Sequence, residues 1–262
     1  MTQLRKISAA RPIDCSDAEW AVRVELAACY RAAVLFGMTD LVHNHITARA
    51  PGPDDHILIN PYGLHYEEIC ASNLIKIDLS GNVISKADGL PYGVNLAGYV
   101  IHSAVHGARG DVACVMHTHT RAGVAVSAMA EGLLPISQTA LRFHQRIGYH
   151  DFEGPATDMA ERERLVANLG PHSALILRHH GLLTCGRTIG ETFTLMQRLD
   201  TACKIQVDAM AGTVTMPSEA AQQRTAAMFA PSANEPGAPP LGTIEWAAIL
   251  RQLDRKDPSF RD

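Results

Sequence analysis

The 262-residue chain has six cysteines but no Cys-x-x-Cys pair. Cys15, Cys29, Cys70, Cys114, Cys185 and Cys203 are widely spaced, and several fall in apolar helix or strand patterns. That argues against a disulfide framework and fits reduced core thiols of a cytoplasmic protein. Positive charge is also scarce. A formal net charge of −4 leaves no basic face, which excludes nucleic acid and anionic membrane as main partners. No apolar run approaches the roughly 18 residues of a membrane span. Met-Thr-Gln-Leu-Arg-Lys at the start is not followed by the apolar core of an export leader. Internal repeats are absent. What remains, at 47% apolar composition, is one globular domain with room for a sizeable core and a small-molecule substrate.

Thirteen histidines are many for this length, and they inform only where they converge. Val112-Ala-Cys-Val-Met-His-Thr-His119 reads as a buried strand ending in His-x-His. Strand side chains alternate faces, so His117 and His119 point the same way and Thr118 points the other. A third ligand from far along the chain would complete a metal site. His180 is the candidate, because the apolar strand Ala174 to Leu177 leads into it and Gly181 follows it.

Around this strand the elements fall into place. Residues 1–15 read as a flexible N-terminal arm. Ser16-Asp-Ala-Glu19 is a capping box opening a helix that Gly37 stops. Strands are expected at Ile46 to Ala50, His56 to Asn60, Leu74 to Asp78 and Val83 to Ser85, the last two joined by a hairpin turn at Ser80-Gly-Asn82. Helices are expected at Leu96 to Ala108 and Arg121 to Ala130, followed by strands at Leu133 to Ile136, Ala140 to Phe143 and Ile147 to His150. A helix over Asp158 to Leu169 precedes the His180 strand and turn. A second capping box, Thr188-Ile-Gly-Glu191, opens a long helix to about Ala211, and Met216 to Phe229 is helical. The main domain is thus 16–229, with an Ala/Pro linker over 230–240 and a C-terminal helix in 241–262 that presents Trp246, Ile249 and Leu250 on one face. Short strands with hairpin-length turns, flanked by helices, indicate an α/β fold: a three-layer α/β/α domain with a mainly antiparallel central sheet.

Asn44-His-Ile-Thr-Ala-Arg49, Asn60-Pro-Tyr-Gly63, Asn95-Leu-Ala-Gly-Tyr-Val-Ile-His102, His117-Thr-His119 with Ala122 to Ser127, and His179-His-Gly-Leu-Leu-Thr184 resemble, in order, the motifs of the class II aldolase/adducin family. The resemblance runs from about Glu19 to Val207. It implies that His117, His119 and His180 hold a divalent metal ion, zinc in the first instance, with manganese or iron as alternatives. It also implies a homo-oligomer, a homotetramer in the first instance, with the Trp246 helix able to reach a neighbouring subunit.

The departures bear on function. The family's sugar-phosphate aldolases carry Pro-Ser-Ser-Glu where this chain has Asn95-Leu-Ala-Gly98. Two serines of a phosphate cradle become Leu96 and Ala97, and the glutamate that serves as ligand and base becomes Gly98. The phosphate-binding Asn falls on His45, and a Thr-Gly pair falls on Tyr62-Gly63. Tyr62, Gly63, Leu96 and Gly98 would then line a flatter, more apolar pocket in an adducin-like branch lacking the aldolase glutamate. His45 is a candidate acid/base, His179 could orient its neighbour His180, and Arg142 on the Ala140 to Phe143 strand could meet a substrate carboxylate. His102 and His106 are expected in the core. Restoring a glutamate at Gly98 is expected to fill an open coordination position. The expected activity is a metal-dependent carbon–carbon lyase, a decarboxylase or aldolase acting on a small non-phosphorylated hydroxy-, keto- or aromatic acid. The alternatives are a non-haem Fe(II) oxygenase on the same three histidines, or a catalytically silent adducin-like interaction module.

Overall fold

The computed structural model describes residues 13–52, 55–154, 160–230, 239 and 241–262; the side chains of Leu96 and Ala97 are not among the described ones. Most of the expected arm and linker therefore lies outside the described residues. Ile13, in the arm, is buried.

Eight strands form one sheet: β1 (His45–Arg49), β2 (His56–Ile59), β3 (Ile75–Asp78), β4 (Val83–Ser85), β5 (Cys114–Thr118), β6 (Gly148–His150), β7 (Ala174–Leu177) and β8 (Gly181–Gly186). Their order is β4-β3-β2-β1-β5-β8-β7-β6. Every pairing is antiparallel except β6 with β7. The helices are α1 (Asp17–Leu35), α2 (Leu96–Ala108), α3 (Arg121–Ser127), α4 (Gln138–Leu141), α5 (Glu161–Leu169), α6 (Ile189–Ala209), α7 (Glu219–Met228) and α8 (Thr243–Lys256).

The pleat sorts the core into layers. Ile46, Met116, Ile176 and Leu182 pack with residues of α1 and α6 on one face. Val115, Leu175, Leu177 and Leu183 alternate with them and pack against Ile101 and Val105 of α2 and Leu165 of α5 on the other. This is the expected α/β/α sandwich. α8 buries Trp246, Ile249 and Leu253, with the Trp246 ring 5.6 Å from Phe193 of α6. It docks on its own chain.

Two features hold α1 against the sheet. Arg23, fully buried, pairs with Glu19 at 2.9 Å and donates to the Leu74 carbonyl at 2.8 Å. The Tyr30 hydroxyl contacts the Ile46 carbonyl and accepts from the Ile46 N–H at 3.0 Å, which sets where β1 begins. Ser16 caps α1 by accepting from Glu19 N–H at 3.1 Å. The Glu19 carboxylate serves Arg23 and Lys76 instead of closing the box.

Two expectations are overturned, and one strand was missed. Ala140 to Phe143 is not a strand, because Gln138–Leu141 is a short helix capped by Ser137, whose hydroxyl accepts from Ala140 N–H at 3.1 Å. Leu133 to Ile136 joins no sheet; its N–H groups at Leu133 and Leu134 donate to the Tyr149 hydroxyl and Gln206 Oε1. Gly181–Gly186 is a fully buried strand, unread in the sequence because flanking glycines look like breakers.

Candidate metal centre

His117 lies near the end of β5 and faces the α2 side of the sheet, directly opposite His45 across the β1–β5 ladder. His119 lies just past the strand. His180 is the last residue of the β7–β8 turn, in which His179 adopts a left-handed backbone (φ 57°). Gly181 makes the approach possible. A Cβ there would lie 2.4 Å from the Thr118 carbonyl oxygen and 3.4 Å from His117 Cε1. Only a residue without a side chain lets β8 start so close to the end of β5.

The three rings converge on their Nε2 atoms. His117 Nε2 and His119 Nε2 are 2.8 Å apart, and His119 Nε2 and His180 Nε2 are 3.0 Å apart. Their other nitrogens decide the protonation. His117 Nδ1 lies 2.9 Å from the Leu182 carbonyl, and His119 Nδ1 lies 2.9 Å from Asp40 Oδ2. Both partners are acceptors, so both Nδ1 atoms carry hydrogen, and each ring in its neutral form presents a bare Nε2 lone pair. Two lone pairs held this close repel unless a cation lies between them. His117 is a poor home for a proton, since burial first, and then His180 and His119, hold it well below the ordinary imidazole range. His180 is lowered to about 4, chiefly by burial. A divalent ion fits: nitrogens about 2.0–2.1 Å from one tetrahedral centre sit about 3.3 Å apart, close to the spacing seen. Asp40 was not anticipated from sequence. It completes the carboxylate–histidine pairing that fixes a ligand's tautomer. It lies far upstream of His119 in the chain, and no local pattern connects the two.

His45 stands beside this cluster, its ring centroid 5.1 Å from that of His117. Its Nδ1 lies 2.9 Å from His102 Nε2; His102 Nδ1 lies 2.7 Å from Thr47 Oγ1, which lies 2.9 Å from His106 Nε2. All four side chains are buried. His102 and His106 thus occupy the core as expected, but as members of a hydrogen-bonded chain that orients His45. Burial is the first cause that holds His45 and His102 well below the usual value and lowers His106 to about 3.

These depressions set a pH dependence. A buried histidine that stays neutral in the fold, but protonates near 6.5 when unfolded, lends stability that is fully present above pH 6.5. That stability is lost as pH falls toward the folded value. Each such group costs about 1.4 kcal/mol per pH unit below 6.5. Metal-free protein is therefore expected to lose melting temperature steeply from pH 6.5 to 4.5, before the carboxylates titrate. Calorimetry in chelator that showed a flat profile over that window would contradict the buried neutral chain.

Gly98 sits in the first turn of α2, against this chain. A Cβ at Gly98 would sit 2.5 Å from His45 Cδ2 and 2.7 Å from its Cγ. The His45 ring occupies the space that a side chain at 98 would need. Gly63 has φ 114°, and a Cβ there would touch the Tyr92 ring at 3.0 Å. Tyr62 is 39% exposed, its ring 6.4 Å from that of His43. His179 is exposed and, among the described contacts, only its backbone is bonded, to the Ser127 carbonyl. Arg142 is not with the histidines. It follows α4, stacks over Phe229 at 4.2 Å and lines a different cavity.

The sandwich brings three imidazoles together at the end of its central strands, their nitrogens close enough to share one ion. Residues 24–207 match the class II aldolase and adducin N-terminal domain, and the chain belongs to that family. An aldolase II superfamily protein from Pseudomonas syringae is 46% identical, with a TM-score of 0.87, over 95% of this chain and 98% of that one. L-fuculose 1-phosphate aldolase from Glaciozyma antarctica is 25% identical, with a TM-score of 0.81, over 97% of this chain and 98% of its own. Alpha-adducin from Rattus norvegicus is 41% identical over 89% of this chain, which spans 33% of that longer protein. Among the described residues, no helix is long and apolar enough to cross a membrane.

Proposed function

We propose that this chain is a metal-dependent carbon–carbon lyase for a small unphosphorylated hydroxy-, keto- or hydroxylated aromatic acid, with decarboxylation as the favoured reaction. The observation that carries it is the His45–Gly98 exchange: the glutamate of the related aldolases is absent, and an imidazole fills its space. Aldol cleavage needs a base on a hydroxyl. Decarboxylation needs none, because breaking the C–CO₂⁻ bond itself leaves the electron pair on carbon.

A divalent ion held by His117, His119 and His180 would supply Lewis acidity to the substrate's oxygen atoms. The chain's own residues do the rest. Asp40 and the Leu182 carbonyl keep two Nε2 lone pairs free, and the His102–Thr47–His106 chain holds the His45 ring in place through Nδ1. After carbon dioxide leaves, the carbon that keeps the electron pair needs one proton from water; His45, held neutral by burial, would orient that water by hydrogen bonding and not supply the proton itself.

Phosphate is disfavoured. Hydroxyl donors are missing at 96 and 97, and Tyr62 replaces a third. Each lost charge-assisted bond is worth about 1.5–3 kcal/mol, so losing two costs roughly 10²-fold or more in affinity. The test is a turnover panel on protein loaded with zinc, manganese or iron, setting hydroxy- and keto-acids against L-fuculose 1-phosphate. Carbon dioxide release from an unphosphorylated acid, dependent on metal, is expected. Efficient cleavage of L-fuculose 1-phosphate would overturn the reading, and so would inertness toward every acid with every metal. Inertness would favour the interaction-module alternative, which the likeness to alpha-adducin supports. Product formation that required dioxygen would favour the oxygenase.

A further inference from the structure

Arg142 belongs to a cavity of about 230 Å³ between the α4 turn, the start of β7, α6 and Phe229. It opens beside a larger cleft of about 520 Å³ that shares Arg142, Glu191 and Phe229. His180 follows the far end of β7, whereas Pro171 to Ala174, at its near end, line the cavity. Roughly 13 Å of strand separates the two sites.

Two guanidinium groups share the cavity lining with one carboxylate, Glu191. Among the described residues, no carboxylate lies within ion-pairing distance of Arg142 or Arg146. Arg146 Nη1 is buried and has no hydrogen-bond partner. The left-handed backbone of Gln145 (φ 57°) and the bond from Arg146 N–H to the Phe143 carbonyl turn Arg146 back into the cavity that Arg142 lines. The nearby acids are engaged elsewhere: Glu191 accepts from the Arg187 backbone at 2.9 Å, and Glu245 lies 3.9 Å from Arg198. Burial, and then repulsion from Arg198, ease the Arg142 guanidinium below its ordinary value. A guanidinium taken from water without a counter-charge is costly, and a buried Nη–H with no acceptor adds to that cost.

Phe143, Leu195, Phe229 and Leu241 form an apolar part of the wall, with His172, Ser173 and Glu191 as its other polar members. Phe229 holds Arg142 by its ring face, which leaves the N–H edges of the guanidinium free to fork onto a carboxylate. The volume is below the roughly 300 Å³ at which drug-sized sites begin, and Glu191 on the lining disfavours a dianion.

We propose that this cavity binds a small organic monocarboxylate, with its carboxylate between Arg142 and Arg146 and its hydrocarbon body against Phe143, Leu195 and Leu241. The site is separate from the metal centre and does not depend on the lyase reading.

The experiment is a fluorine NMR titration of 4-fluorobenzoate into the full chain stripped of metal with chelator. Saturable one-to-one binding is expected, unchanged in His117→Ala, which removes the other site. Arg142→Gln and Arg146→Gln should each weaken it at least tenfold. The neutral 4-fluorobenzamide should not bind, and equimolar phosphate should not displace the benzoate. If Arg146→Gln does not fold, Arg142→Gln, half-buried at the opening, decides alone. Absence of saturable binding, equal affinity in Arg142→Gln, or displacement by equimolar phosphate would each refute the site.

Discussion

Replacing His180 by alanine is expected to strip the protein of a stoichiometric divalent ion while leaving the fold intact. The residue sits at the end of the β7–β8 turn and is only partly buried, so its loss opens no core cavity. His117→Ala should lose the ion as well. Zinc bound in a folded site is worth about 10–16 kcal/mol, so a share of roughly 3 kcal/mol per ligand predicts a loss of at least 10²-fold in affinity. Asp40→Asn is the graded version. It keeps the shape but removes the charge that fixes the His119 tautomer, and an outer partner of this kind typically costs about 10- to 100-fold. Elemental analysis and competition with a chromophoric chelator read all three variants. Wild-type protein that binds none of zinc, manganese or iron would remove the metal centre from the account. A His180→Ala variant with wild-type affinity would remove His180 from the ligand set.

Gly98→Glu is expected to destabilise the protein rather than repair the aldolase site. Before any carboxylate reaches the histidine cluster, the Cβ would collide with the His45 ring at 2.5 Å. That ring cannot retreat freely, because His102 holds its Nδ1 at 2.9 Å. Overpacking of this kind costs about 1–3 kcal/mol, or roughly 2–10 °C in melting temperature for a chain of this size. Gly98→Ala should show much of the same loss, since the clash is at Cβ. The double variant His45→Asn/Gly98→Glu, which restores the family's pairing, should be more stable than Gly98→Glu alone. The two substitutions would then be non-additive by more than the few tenths of a kcal/mol expected of independent sites. Thermal melts of the four proteins complete the cycle, and additive effects would mean that His45 and residue 98 do not compete for one space. The contact with His45 adds a cost that the expectation of a glutamate at 98 filling an open coordination position left out.

Patterns that repeat within a few residues were legible in the sequence. The α2 span Leu96–Ala108 agrees with its expected bounds, because apolar residues at helical spacing define it. The β3–β4 hairpin follows from Ser80-Gly-Asn82. Ala140 to Phe143 misled because its few apolar residues suit either period; the decisive signal was Ser137, a cap three residues ahead of Ala140. Misplacing that segment also misplaced Arg142, which a strand would have aimed quite differently.

The family motifs and the alternation of His117 and His119 were local enough to read directly, whereas the close approach at Gly181 shows only in the fold. By itself the sequence determined the layered α/β/α class, the histidines offered to a metal, and the absence of the aldolase carboxylate. Tertiary structure alone decided that Asp40 would meet the distant His119, and that His102, Thr47 and His106 would line up behind His45. Only the folded chain brought an imidazole from β1 into the space beside Gly98 on α2. The reason is physical: periodicity reports which face a residue takes, whereas a hydrogen bond or a clash between distant elements depends on how the layers pack, to within a few tenths of an ångström.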